Sequence, residues 1–217
     1  MPGVVAFTTL PLIVTLVHAD RFHFGAEHGA FTRAMTWLWL VVYAVVPSVM
    51  AVILFAQMRQ PGNDPPRRAP MHGLLRGTLL VHAAVMLGLG VALLARPQAV
   101  ADAVWPWALT PLTARAIAAW LVGLGAAAAQ AAWERDLTRV RGAMAAYIAF
   151  ALLQIVALPR FAAAGHPVTG GPVLDWRDAR TWAYVGFVLS IAAAGTYGWL
   201  AAHRTEASAG PSASEGQ

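Results

Sequence analysis

The chain has 217 residues, of which 59% are hydrophobic and 12% are charged, about half the charged fraction of an ordinary soluble domain. It contains no cysteine, which excludes disulfides, thiolate nucleophiles and cysteine-ligated iron–sulfur clusters. The formal net charge is +5 and every basic residue is an arginine. In a soluble protein this balance would favour nucleic-acid binding, but the arginines here border long uncharged runs, so we expect no nucleic-acid partner.

Five uncharged runs dominate the sequence. A helix of about 20 apolar residues crosses a hydrocarbon core of roughly 30 Å. Only helices and closed barrels satisfy their backbone hydrogen bonds in lipid, and barrel strands are short and alternate in polarity, unlike these runs. The sequence therefore predicts an all-α, polytopic transmembrane helix bundle whose main partner is the lipid bilayer. The runs are residues 34–58, 77–95, 116–133, 142–159 and 181–203.

The first residues of the chain form a sixth apolar segment that contains Pro11 and several threonines. It has no basic start and no small-x-small cleavage signal, so we predict a spanning helix rather than a signal peptide, and five spans if residues 2–19 do not cross. The small, polar segment 204–217 is predicted to be a disordered cytoplasmic tail. The predicted spans are 3–19, 36–57, 75–95, 112–133, 142–160 and 181–202.

The segment HADRFHFGAEH follows the first apolar stretch and gathers acids and histidines. On a helix, Asp20, His23 and Glu27 would share one face, and this set could ligate zinc or iron. The alternative, which we favour, is a membrane exit in which Asp20 lies at the headgroup level and Phe22 and Phe24 anchor the interface.

Two loops suggest the orientation. Residues 60–73 and 133–141 are rich in arginine, which predicts that both loops are cytoplasmic and that both termini of a multi-pass cell-membrane protein lie inside. Glu134 and Asp136 flank Arg135 in the second loop, and we expect these acids to be solvated.

His82 is the only ionisable residue deep inside a predicted span. An intramembrane histidine suggests a proton relay, a substrate contact or a haem ligand. A bis-histidine haem would need a second histidine at the same depth, and the sequence offers none, so we expect no cofactor. The alternative is a neutral His82 that hydrogen-bonds a neighbouring helix.

The segment WPWALTPLTAR is the most distinctive in the chain. Pro106 and Pro111 exclude a continuous helix, and Thr110 followed by Pro111 is typical of an N-cap and the first helical residue. We predict a turn at the interface, with Trp105 and Trp107 in the headgroup belt. Alternatively, the two tryptophans form a lid or an aromatic cage for a ligand.

The glycine pairs in Gly88-Leu89-Gly90 and Gly123-Leu124-Gly125 predict close helix–helix contacts, because small residues let backbones approach in lipid. They are not phosphate loops, since no Gly-Lys-Ser/Thr follows them. There is no Walker motif and no Gly-x-Ser-x-Gly, and we predict no catalytic residue.

Two parts of the chain resemble one another. Residues 14–22 read VTLVHADRF and residues 153–161 read LQIVALPRF, and each is followed by a loop and then by TWLW or TWAY. Both copies would be threaded in the same direction, which predicts a parallel internal repeat. A complete ancestor would carry a further helix pair before residue 1.

Three segments, WPWALTPLTAR-x4-W at residues 105–120, the ERD loop at residues 134–136 and HADRFHF at residues 18–24, resemble those of multi-pass membrane proteins of high-GC actinobacteria. The resemblance covers most of residues 14–200 and implies no activity.

Three functions stay open from the sequence. The first is a non-enzymatic, permease-like bundle or a subunit of a membrane assembly, with a membrane-protein partner or a second copy. The second is a metal-dependent membrane enzyme that uses Asp20, His23 and Glu27. The third is binding of a small ligand in a pocket formed by His82, Trp105 and Trp107.

Overall fold

The computed structural model describes residues 2–62, 67–162 and 174–208. Five helices within these ranges are long and apolar enough to cross a membrane. The predicted all-α fold is confirmed. The described ranges form seven α-helices and a 3₁₀ helix: α1 (Pro2–Val17), the 3₁₀ helix (Ala19–Arg21), α2 (Ala30–Arg59), α3 (Gly73–Ala95), α4 (Pro97–Val104), α5 (Pro111–Glu134), α6 (Leu137–Ala162) and α7 (Ala179–Ser208).

Some helix boundaries differ from the predicted spans. Helices α2 and α6 begin before residues 36 and 142, because helical hydrogen bonding continues beyond the apolar run into its polar flank. Helix α7 continues through residues 204–208, the start of the predicted disordered tail, and residues 209–217 lie outside the described residues. Helix α4 was not predicted, because its eight residues lie within a stretch that reads as a loop.

Helix α1 forms over 16 residues, which is about 24 Å and short of a bilayer core of roughly 30 Å. The sixth span therefore stays a prediction. Pro11 lies inside this helix, and the Thr15 hydroxyl donates to the Pro11 carbonyl at 2.8 Å. Thr15 in turn accepts a hydrogen bond from Trp39 Nε1 of α2 at 3.1 Å, which ties the two helices together through the buried Thr15 side chain.

The chain folds as two compact units, the first of which comprises Met1–Asp64, Ala83–Ala101 and Leu109–Ala128. Within it, a Cβ added to Gly90 of α3 would lie 3.0 Å from the Ala118 carbonyl of α5, and one added to Gly125 would lie 3.0 Å from the Leu87 backbone nitrogen. The predicted helix contacts are confirmed for these two glycines. A Cβ at Gly88 would meet no atom within 4 Å, so Gly88 does not lie at such a close helix contact.

The second unit comprises Pro65–His82, Asp102–Ala108 and Ala129–Gln217. Helices α6 and α7 pack closely because α7 places glycines at the contact. A Cβ on Gly195 would lie 2.9 Å from Tyr147 Cβ and 3.0 Å from the Met144 carbonyl oxygen. A Cβ on Gly198 would lie 2.6 Å from the Met144 sulfur. The α6–α7 interface is thus a backbone approach that only glycine allows.

The second unit also contains a connection that we call the Asp136 clasp, formed by residues 67–71 and 134–139. Pro70 and Asp136 form an isolated antiparallel bridge, Leu137 N–H donates to the Ala69 carbonyl at 2.8 Å, and Met71 N–H donates to the Arg135 carbonyl at 3.0 Å. The segment that leads into α3 is thereby joined to the short break between α5 and α6.

Asp136 is the centre of the clasp and is 1% exposed, so the expectation that it is solvated was wrong. Its Oδ1 caps α6 by accepting from the backbone N–H groups of Thr138 at 2.9 Å and Arg139 at 3.3 Å, and it also accepts from the Thr138 hydroxyl. Its Oδ2 accepts from the backbone N–H groups of Arg68 at 2.6 Å and Ala69 at 3.2 Å. A solvated acid was expected because the sequence does not show which segment folds over it.

The clasp should weaken at low pH. Burial alone would raise the pKa of Asp136, but hydrogen bonds from Thr138, Ala69, Arg68 and Arg139 outweigh it and hold this pKa at about 2, against 3.8 without the protein environment. A depressed pKa contributes stability that is complete above the unfolded value and is lost as pH falls through the folded value. We therefore expect the thermal midpoint to fall between pH 3.8 and about 2, and to fall less in Asp136→Asn. An equal fall in both proteins would contradict this role.

Candidate functional site

The candidate site surrounds His82 of α3, within the second unit. The His82 side chain is buried, and its Nε2 lies 2.9 Å from the Ser190 hydroxyl of α7. Its ring centroid lies 5.2 Å from that of Phe187, edge-on, and 6.0 Å from that of Tyr147 on α6. Three helices thus contribute to the cluster, and His82 makes an interhelical hydrogen bond.

The direction of that hydrogen bond follows from the other contact of Ser190. The Ser190 hydroxyl lies 2.7 Å from the Phe187 carbonyl oxygen and donates its single proton there. Its lone pairs are therefore left for His82, so Nε2 carries the proton and donates it to Ser190. In a neutral imidazole the other nitrogen, Nδ1, is then an acceptor.

Two polar atoms of this cluster are buried with no hydrogen-bond partner among the described residues. They are His82 Nδ1 and the Tyr147 hydroxyl. One needs a donor and the other, a phenol, needs an acceptor. A buried polar group without a partner costs about 1–3 kcal/mol, so a molecule that bonded both would recover that cost.

The tryptophans of the predicted site form an aromatic cluster with Tyr184 of α7. The Trp105 ring lies 5.5 Å from that of Trp107 and 5.7 Å from that of Tyr184, and the rings of Trp107 and Tyr184 are 5.3 Å apart, all edge-on. The Tyr184 hydroxyl donates to Gln154 Oε1 of α6 at 2.7 Å. Thr110 caps α5 through its hydroxyl, which accepts from Thr113 N–H at 3.2 Å, so the predicted cap is confirmed.

Trp105 differs from the predicted belt residue. It is only 8% exposed, and its Nε1 is buried with no partner among the described residues. A belt tryptophan directs its ring and its N–H toward the headgroups. The belt prediction is therefore wrong for Trp105, because the turn folds its indole inward onto Tyr184.

The three predicted ligand-binding residues are all positioned by α7. Trp105 and Trp107 contact Tyr184, and His82 contacts Phe187 and Ser190. Tyr184, Phe187 and Ser190 are spaced at three-residue intervals, so the two clusters are separated along the helix by about 9 Å. Ser190, Tyr147 and Tyr184 were not predicted as site residues, although a serine within an apolar run was a usable signal.

A serine beside a histidine can also be a nucleophile with its general base. That role requires an unprotonated nitrogen facing a hydroxyl that gives up its proton. Here Ser190 donates to the Phe187 carbonyl and accepts from His82, which is the opposite polarity. The His82–Ser190 hydrogen bond is therefore structural, and His82 Nδ1 remains as a hydrogen-bond acceptor.

The predicted metal residues lie in the first unit. Asp20 is in the 3₁₀ helix and pairs with Arg21 at 3.2 Å, while Glu27 contacts His28 at 3.4 Å. The His23 ring packs on that of His28, 4.3 Å between centroids. The helical face on which Asp20, His23 and Glu27 were expected to converge does not form, because residues 22–29 are not helical.

No group of three or more His, Cys, Asp or Glu side chains is arranged to hold a metal ion within residues 2–62, 67–162 and 174–208. The metal site stays a prediction without support from this geometry.

The two copies of the predicted repeat can be compared at the start of their second helices. Thr36 of α2 and Thr181 of α7 are both buried, and the tryptophan that follows each contacts a loop aromatic ring. Phe24 lies 5.1 Å from Trp37, and Trp176 lies 5.9 Å from Trp182. Part of the second loop, residues 163–173, lies outside the described residues, and the repeat stays a prediction.

The five apolar helices define a multi-pass α-helical integral membrane protein. A comparison with protein-family models, curated proteins and solved structures found no match to this chain. The resemblance to actinobacterial membrane proteins therefore stays a prediction.

Proposed function

We propose that this chain is a non-enzymatic, permease-like membrane protein that binds a small uncharged solute at His82. The observation that carries the proposal is the pair of buried, unpartnered polar atoms in one side-chain cluster, His82 Nδ1 and the Tyr147 hydroxyl. Polar groups inside a membrane protein are costly, and they mark solute or ion pathways more often than packing sites.

The chemistry of the two atoms defines the solute. Nδ1 requires a donor and the Tyr147 hydroxyl requires an acceptor, so the ligand carries both, as water, an alcohol or an amide does. The groups described around the site, namely Phe187, Ser190 and the two rings themselves, carry no formal charge that could balance an ion. An uncharged solute is therefore favoured over an anion or a cation.

The aromatic cluster of Trp105, Trp107 and Tyr184 belongs to the same proposed pathway. It adds a further unpartnered donor, Trp105 Nε1, and the Tyr184–Gln154 hydrogen bond, about 9 Å along α7 from Ser190. A small solute that moved from one of these groups to the next would keep at least one hydrogen-bond partner along the way. Tyr184 and Trp105 thus supply a second binding position.

The proposal is tested by solute flux into liposomes that contain the purified full chain. We expect faster entry of at least one of water, urea and glycerol than into protein-free liposomes, measured by stopped-flow light scattering. Tyr147→Phe removes one hydroxyl and should slow that entry about tenfold, the equivalent of one buried hydrogen bond of about 1.4 kcal/mol.

Tyr197→Phe is the matched control, because Tyr197 is 51% exposed and loses the same hydroxyl. We expect its flux to equal that of the unchanged chain. Two results would contradict the proposal: no solute of the three entering faster than into protein-free liposomes, or Tyr147→Phe and Tyr197→Phe behaving alike.

A further inference from the structure

Ser190 of α7 makes two short polar contacts, and together they fix where the proton of His82 lies. Its Oγ lies 2.7 Å from the Phe187 carbonyl oxygen and 2.9 Å from His82 Nε2. Two oxygens at such a distance repel one another unless a proton lies between them, and a carbonyl has no proton to give. The serine proton is therefore held by the α7 backbone, and His82 must supply the proton of its own contact.

Phe187 keeps the imidazole ring from losing this contact by rotation. A half-turn of the ring would exchange Nε2 with a carbon atom and remove the hydrogen bond to Ser190. The Phe187 ring packs edge-on against the buried imidazole, with 5.2 Å between centroids and an interplanar angle of 72°. Phe187 and Ser190 are three residues apart and are neighbours on one face of α7, so a single helical turn fixes both the orientation and the tautomer of His82.

The tautomer of His82 decides what the site can bind. With the proton on Nε2, the Nδ1 atom of a neutral imidazole can only accept a hydrogen bond. With the proton on Nδ1, the same buried atom would instead require an acceptor, and a solute without any N–H or O–H group would fit. A site that is built to hydrogen-bond a solute strongly rejects an analogue that leaves its buried polar atom unpaired.

We infer that Ser190 is the specificity-determining residue of the His82 site. By holding the His82 proton on Nε2, Ser190 restricts the site to solutes that donate a hydrogen bond to Nδ1. Primary amides, ureas and alcohols belong to this class, whereas ethers and tertiary amides only accept. The selection of solutes rests on the proposed function, but the control of the tautomer does not. Ser190 is thus a positioning residue that acts through His82.

The tautomer is measured by nitrogen-15 NMR on the full chain, labelled with histidine that carries the isotope at Nδ1 only. The chain is reconstituted in liposomes at about pH 8, where histidine is ordinarily neutral. Protonated and unprotonated Nδ1 atoms resonate in separate ranges, and the signal that disappears in His82→Gln belongs to His82. We expect an unprotonated Nδ1 in the unchanged chain. Ser190→Ala removes the acceptor of the Nε2 proton and should shift the tautomer ratio about tenfold toward Nδ1–H, the effect of one hydrogen bond.

Two further variants separate this role from a general effect of replacing a serine. In Ser190→Thr the hydroxyl is retained and can form the same bond to a helix carbonyl, so the tautomer ratio should equal that of the unchanged chain. Ser48→Ala is the matched control, because the Ser48 hydroxyl also donates to a backbone carbonyl of its own helix, that of Ala44 at 2.8 Å. Its loss should leave the His82 signal unchanged.

Two amides test the selection of solutes. Acetamide donates and accepts hydrogen bonds, whereas N,N-dimethylacetamide has the same carbonyl and no N–H group. Titration with acetamide should shift the His82 Nδ1 signal of the unchanged chain at lower concentrations than titration with N,N-dimethylacetamide. In Ser190→Ala this preference should fall about tenfold, in step with the tautomer ratio. The difference in size between the amides is the same for both proteins, so the change in preference reports the tautomer.

The outcomes distinguish the two parts of the inference. A protonated Nδ1 in the unchanged chain, or a tautomer ratio in Ser190→Ala equal to that of the unchanged chain, would overturn the role of Ser190. An equal preference for acetamide in both proteins would overturn the selection of donors. If neither amide shifts the His82 signal, the proposed function fails and the selection of solutes with it, whereas the tautomer measurement still decides the role of Ser190.

Discussion

Asp136→Ala should destabilise the protein by about 3 kcal/mol. The substitution leaves four backbone N–H groups, those of Arg68, Ala69, Thr138 and Arg139, without their acceptor. Hydrogen bonds to a charged group contribute about 1.5–3 kcal/mol each when measured singly, and unsatisfied buried donors add a penalty. The expected loss is smaller than the sum of these terms, because water can reach part of the loop and hydrogen-bond some of the freed N–H groups. The free energy of unfolding in mixed micelles, followed by circular dichroism, measures the loss.

Glu134→Gln is the control for Asp136→Ala. Glu134 is two residues away and carries the same charge, but its carboxylate is only partly buried and makes an ion pair with Arg139 at 3.3 Å. Pairs of this kind contribute below about 1 kcal/mol. A similar loss in both variants would show that the loop responds to charge in general and that Asp136 does not organise the clasp.

The spanning helices could be predicted from the sequence because the bilayer imposes one length and one polarity on every span. The long uncharged runs of α2, α3, α5, α6 and α7 follow from that constraint. The Thr110–Pro111 cap was also predictable, since capping depends on adjacent residues alone. Helix α1 is the ambiguous case, because its 16 residues fall below the spanning length.

The site was only partly predictable, because its partners are distant in sequence. His82 was recognisable as an ionisable residue inside a span, but Ser190 lies 108 residues further along the chain. Nothing local indicates that α7 packs beside α3 at that position. Asp136 shows the same limit, since its acceptor role depends on a segment 67 and 68 residues earlier.

The aromatic turn shows how one local rule can mislead. Tryptophans at a helix end suggest an interfacial belt, and this interpretation assumes that the turn faces the membrane. The turn instead directs Trp105 onto Tyr184, where the ring is 8% exposed. Trp105 and Trp107 therefore contact α7, the helix that also carries Ser190, so the residues of the proposed pathway either belong to α7 or pack against it.

Gly195→Ala should lower the free energy of unfolding by about 1–3 kcal/mol, the cost of adding a methyl group to a full interface. The new Cβ would lie 3.0 Å from the Met144 carbonyl oxygen, which belongs to the α6 backbone and cannot rotate away, and 2.9 Å from Tyr147 Cβ. Relief requires α6 and α7 to separate. Because Tyr147 is displaced in that separation, solute entry should fall as well.

Gly186→Ala separates this contact from the general effect of replacing a glycine in α7. A Cβ at Gly186 would meet nothing within 4 Å, so we expect a change in stability within about 0.5 kcal/mol and unchanged solute entry. Thermal unfolding and flux of the two variants are measured under the same conditions. If Gly195→Ala unfolds and transports like Gly186→Ala, the α6–α7 backbones do not approach as closely as the glycine contacts require, and Tyr147 is not held against His82 by this interface.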